Sequence, residues 1–113
     1  MSKPIEYESN IIANLRAEGW QGDAETLREL ARAGERLRKR YENECSYEWA
    51  ANSESYAAGT ERAEERLAAS AKRAGLTLFV QGDPRGALVY VRNAPLPISD
   101  SNYSSVAHCL YFK

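Results

Sequence analysis

Apolar positions in this chain follow a helical period up to about residue 75 and an alternating period after it. Ile11, Ile12 and Leu15 share one helical face, and Gly19 is the residue type that closes helices in a left-handed conformation, so a short helix is predicted within Ile5 to Trp20. Asp23 then offers an N-cap, and Leu27, Leu30, Gly34, Leu37 and Tyr41 recur at steps of three and four. A second stripe, Tyr56, Thr60, Ala63, Leu67, Ala71 and Ala74, runs up to Gly75. One unbroken helix from Asp23 to Ala74 would be ~78 Å long, more than a domain of this size spans. A reversal is therefore expected within Glu44 to Ser55, favoured at Ala51-Asn52-Ser53-Glu54, where Asn and Ser suit a turn. An antiparallel helical hairpin results. A long dimerising coiled coil is the alternative, and about three heptads per run argue against it.

Beyond Gly75 the period is two. Leu76, Leu78 and Val80 alternate with Thr77, Phe79 and Gln81, and Ala87, Val89 and Val91 alternate with Leu88, Tyr90 and Arg92. Gly82-Asp83-Pro84-Arg85-Gly86 between them fits a type I turn, with Pro84 at its second position and Gly86 at a positive-φ bulge. Residues Asn93 to Asn102 read as a loop and Tyr103 to Phe112 as a last strand. The predicted fold is α+β: a short N-terminal helix (1–22), a long antiparallel helical hairpin (23–75) and a small antiparallel sheet of about three strands (76–113), in one domain over residues 1–113.

Composition narrows the function classes. At 113 residues the chain can bury roughly two-thirds of its unfolded surface and needs no disulfide staple. Cys45 and Cys109 are its two cysteines, and Met1 to Glu6 has no apolar stretch, so a reduced cytoplasmic setting is expected, with no membrane partner. Fifteen basic residues against sixteen acidic ones give no global attraction to nucleic acid. The distribution is uneven, because Arg28, Arg32, Arg36, Arg38, Lys39 and Arg40 crowd one end of the helical region and glutamates outnumber bases from Glu42 to Glu65.

Candidate chemistry is sparse. His108 and Cys109 are adjacent on a strand and so point to opposite faces, which removes a chelate; with one histidine in the chain no Ser-His-Asp set assembles. No catalytic residue, metal site or cofactor is assigned. Arg85 at the turn tip is available to an anion, although turn geometry explains the rest of that motif. Arg28, Arg32, Arg36 and Arg40, four apart, form a line along one helix, with Glu25, Glu29 and Glu35 near enough to neutralise part of it. Phe79, Leu88 and Tyr90, with Tyr111, project from the sheet face turned away from the helices, where they are candidates to stack bases or anchor a protein partner; the alternative, and the favoured reading, is that Ile11, Ile12, Leu15 and Trp20 of the first helix cover them.

From about Gly34 to Phe112 the chain resembles small proteins of tailed bacteriophages and prophages. The resemblance rests on Glu44-Cys45 in a charged helix, a second charged helix, Gly75-Leu76, Gly82-Asp83-Pro84-Arg85-Gly86 and Val89-Tyr90-Val91, with Ser46 departing from the asparagine expected after the cysteine. It implies a non-enzymatic accessory protein of the bacterial host cytoplasm that binds a host protein or complex, with inhibition of a defence system such as CRISPR among the implied roles. The alternative from the residues is a nucleic-acid-binding module that uses the basic line.

Overall fold

In a computed structural model, residues 4–46, 53–83, 86–94 and 96–112 are described. Strand β1 (Ile5–Glu6) precedes helix α1 (Glu8–Ala17); α2 (Ala24–Ser46) and α3 (Ser53–Ala74) form the hairpin; β2 (Leu76–Asp83), β3 (Gly86–Asn93), the single turn α4 (Tyr103–Val106) and β4 (His108–Phe112) complete the chain. The sheet is antiparallel throughout, in the order β1-β4-β3-β2. The architecture is thus α+β in two layers, helices on one face of a sheet.

Local chemistry sets the boundaries. At the end of α1 the amide of Trp20 reaches the Leu15 carbonyl at 3.0 Å and that of Gly19 reaches Arg16 at 2.9 Å, with Gly19 at φ 101°. This is a Schellman closure, and Gly75 at φ 73° ends α3 in the same left-handed conformation. Asp23 caps α2 as its side chain accepts from the Thr26 amide at 2.8 Å and from the Thr26 hydroxyl at 2.7 Å. The break between α2 and α3 falls within the expected window, but α3 has already begun at Ser53, so Ser53 and Glu54 belong to the helix and not to the turn. The connection itself lies outside the described residues.

The stripes read from the sequence meet in one core. Leu27, Leu30 and Leu37 of α2 and Leu67 of α3 have no exposed surface, and Ala71, Ala74, Leu76, Val89, Val91 and Leu110 are buried with them. Close approach is possible at Gly34, where an added Cβ would lie 2.9 Å from Cγ2 of Val89. Register places Leu76, Leu78 and Val80 opposite Asn93, Val91 and Val89, all on the helix face, while Phe79 opposite Tyr90 and Gln81 opposite Leu88 point the other way.

Three expectations are corrected. The first helix does not cover the aromatic face: Ile11, Leu15 and Trp20 are buried in the same cluster as Leu27 and Val91, so α1 lies on the helix face of the sheet. Residues 5–6 do not start α1 but form a fourth strand at the sheet edge, pairing Ile5 with Phe112 and Glu6 with Tyr111, and Tyr7 at φ 58° turns the chain from strand into helix. The last strand begins at His108, not Tyr103, because 99–107 is held by local bonds. The Ser99 amide donates to the Asn102 side chain at 2.7 Å, and the Ser105 hydroxyl donates to the Asn102 carbonyl at 3.0 Å, which favours a turn over an extended strand.

Candidate functional site

The arginine line on α2 divides when it is folded. Arg28 is taken by α1: its Nε lies 2.6 Å and its second guanidinium nitrogen 2.8 Å from the two oxygens of Glu8, a bidentate pair that raises the arginine pKa further above its ordinary value. Glu25 stands 3.8 Å from the same guanidinium, and Glu35 pairs with Arg38. Of the three glutamates expected to neutralise the line, Glu25 thus sits against its first member, Arg28, and Glu35 pairs with Arg38 off the line.

Arg32, Arg36 and Arg40 run along a groove between α2 and α3, with Lys39 beside them. The opposite wall is also basic. Arg62, Arg66 and Arg73 of α3 line the same groove, and Arg36 and Arg66 are common to its two stretches. Among the described lining residues Glu29 is the one carboxylate. The floor is made of small side chains, Ala33, Gly59, Ala63 and Ser70. Arg40 crosses from one helix to the other, its Nε donating to the Thr60 hydroxyl at 3.1 Å, with its guanidinium over Gly59 where a Cβ would collide with it. Arg36, Arg62, Arg66 and Arg73 are exposed and make no ion pair among the described residues.

The second wall went unread in the sequence because the stretch from Glu42 to Glu65 is rich in glutamate and α3 itself is charge-balanced, four acidic side chains against four basic ones. The signal was nevertheless present: Arg62, Arg66 and Arg73, four and seven apart, fall on one helical stripe, and Glu61, Glu64 and Glu65 fall off it. Helical phase, rather than net charge, sorts the cations toward the groove and these acids away from it.

The aromatic face is a second surface. Phe79 stacks on Tyr103 with ring centroids 4.6 Å apart, and Tyr90 meets Tyr103 edge-on at 4.8 Å, so a tyrosine from the 94–107 segment covers the pair in place of α1. Leu88 on the same face remains 42% exposed. Tyr111 is described only through its backbone pairing with Glu6, and Arg85 lies outside the described residues together with the tip of its turn.

His108 is structural. Its Nε2 shares a 2.8 Å hydrogen bond with Glu18, whose other oxygen accepts from the Asn93 amide at 3.0 Å, while the Asn93 side chain donates to the Glu18 carbonyl at 2.8 Å. Arg92 adds its guanidinium 3.9 Å from the same carboxylate. These bonds pin the end of α1 to β3 and β4. Cys109 pairs with Tyr90 in the register, on the face opposite His108, so the two do not converge. Among the described residues no three His, Cys, Asp or Glu side chains form a metal-holding group, and no helix is long and apolar enough to cross a membrane.

Compared with family models, curated proteins and solved structures, the chain finds no match.

Proposed function

We propose that this chain acts without catalysis, by holding an acidic macromolecule along the groove between α2 and α3. The observation that carries this reading is the concentration of seven cationic side chains from two helices around Glu29, the one carboxylate among the described lining residues, in a protein of net charge −1. Such a surface draws in a negative partner over the short range that physiological salt leaves unscreened, about 8–10 Å. Glu18 and His108, the pair closest to a catalytic dyad, are committed to each other and to Asn93, which supports a binding role over an enzymatic one. The resemblance of residues 34–112 to tailed-phage proteins supports a setting in the bacterial cytoplasm, with host machinery as partner and a defence complex such as CRISPR among the candidates.

Affinity capture from a bacterial lysate tests this, with the wild type beside the Arg36→Glu, Arg66→Glu variant and with and without nuclease. Material retained by the wild type and lost by the folded variant is the expected result. Identical capture by both proteins would remove the groove as the contact surface.

A further inference from the structure

Resting on the groove being that contact surface, we infer that its occupant is the phosphodiester backbone of a nucleic acid, held without regard to base sequence. Length and spacing fit. Along α2, Arg32, Arg36 and Arg40 follow one another at roughly 6 Å and cover roughly 12 Å, while Arg62 to Arg73 on α3 cover roughly 16 Å, from the helical rise of 1.5 Å per residue. A strand that advances about 3.4 Å per phosphate sets about five phosphates against that length. Neighbouring helices lie roughly 8–10 Å apart, so the two rails can flank one backbone from both sides.

The residue types point the same way. Six of the seven cations are arginines, whose planar fork matches phosphate oxygens in pairs. What the groove lacks is equally informative. Among the described residues its lining includes no aromatic and no large aliphatic side chain. A protein partner would find none of the buried anchors that carry most of the free energy of protein–protein association. Among the described residues a base would find no ring to stack on there, since Phe79, Tyr90 and Tyr103 lie on the far side of the sheet. A polyanion needs neither, because release of its condensed counterions supplies the affinity. The small floor residues leave the arginines room to reach inward, and the Ser70 hydroxyl at the bottom is a further donor to an anionic oxygen.

The total charge of −1 does not oppose this, because acids off the groove are screened from a bound strand beyond a Debye length of about 10 Å at 0.1 M salt. Glu29 does oppose it, as a carboxylate inside the groove. It therefore supplies a variant in which binding improves, a result that misfolding cannot imitate.

The experiment is a salt titration by fluorescence anisotropy using a thymidine oligonucleotide, a DNA duplex and an RNA strand, each of about 20 nucleotides, with polyglutamate as a competing acidic polypeptide. With about four phosphates neutralised, the affinity should fall roughly 50-fold on single strands and 150-fold on duplex between 50 and 200 mM salt. The order of the three polymers identifies the natural source of the backbone. Arg36→Glu with Arg66→Glu should weaken binding at least about tenfold and flatten the salt slope by about two contacts, while Glu29→Gln should tighten it about two- to threefold at 50 mM salt. Polyglutamate competing as well as DNA would overturn the phosphate assignment and leave a groove for acidic proteins. Strong dependence on base sequence would overturn backbone readout. No nucleic-acid binding at 50 mM salt, with capture from lysate still dependent on the groove, would sink this inference and spare the function proposed above. Nucleic-acid binding indifferent to both groove variants would place the strand elsewhere and overturn it too.

Discussion

The indole N–H of Trp20 donates a 2.7 Å hydrogen bond to the backbone carbonyl of Ala74 inside the protein. That carbonyl belongs to the last turn of α3, where no intrahelical amide remains to satisfy it. A residue just past the end of α1 thus caps a helix that ends 54 positions later, and the ring doing so is 4% exposed.

Replacing Trp20 with phenylalanine should therefore cost about 2–4 kcal/mol, combining an orphaned buried carbonyl with lost volume. Denaturant unfolding is the measurement, with a lower midpoint and an unchanged slope expected. A loss below about 0.5 kcal/mol would mean that water replaces the indole at Ala74 without penalty.

Gly34 and Gly59 should respond differently to alanine. At Gly34 the new Cβ would stand 2.9 Å from Val89, a stiff, buried side chain, whereas at Gly59 it meets only the guanidinium end of Arg40. Overpacking costs about 1–3 kcal/mol and alanine gains about 1 kcal/mol over glycine inside a helix, so Gly34→Ala should lose about 1 kcal/mol net. Gly59→Ala should stay within about 0.5 kcal/mol of wild type as Arg40 swings aside. In a Val89→Ala background the penalty at Gly34 should vanish, which a double-mutant cycle reads directly.

The cap on α2 gives a pH signature. The Thr26 hydroxyl and then the Thr26 amide, both donating to Asp23, hold its carboxyl below the usual value of 3.8. A depressed carboxylate pKa adds stability that is complete above the unfolded value and is lost as pH falls through the folded one. Wild type should accordingly be more stable than Asp23→Ala by a constant margin above about pH 5, and that margin should shrink as the solution is acidified below 3.8. A margin independent of pH would show that the cap does not depend on the charge.

These features were unequally legible. Leu27, Leu30 and Leu37, or Leu78 against Val80, announce themselves because a helix or strand imposes its period on neighbours in sequence. The side of the sheet taken by α1 is not local information: it is fixed by Trp20 meeting Ala74 and Glu18 meeting Asn93 and His108, contacts spanning 54 to 90 positions. Strand β1, two residues long, has no period to read, and it pairs with the far end of the chain. The groove stands between these cases. Its first wall was visible in Arg32, Arg36 and Arg40, but the second required knowing which stripe of α3 turns toward α2. The line also lost Arg28, since nothing around residue 28 reveals that Glu8 waits on another helix.

Gathering cations on facing helices should leave a mark on the free protein. Arg36 and Arg66 line both stretches of the groove from opposite walls, and like charges held near one another destabilise by a few tenths of a kcal/mol per pair. Binding surfaces commonly retain such unfavourable interactions, because removing them improves folding at the expense of function. Arg66→Gln should hence raise the melting temperature by about 1–3 °C near 0.01 M salt, where the Debye length is about 30 Å. Near 1 M salt, with that length cut to about 3 Å, the two proteins should melt together. The same substitution should weaken any polyanion that the groove holds. A variant less stable than wild type at low salt would mean that Glu29, Glu65 and their neighbours already compensate Arg66, and the groove would then lack the uncompensated charge on which its proposed role depends.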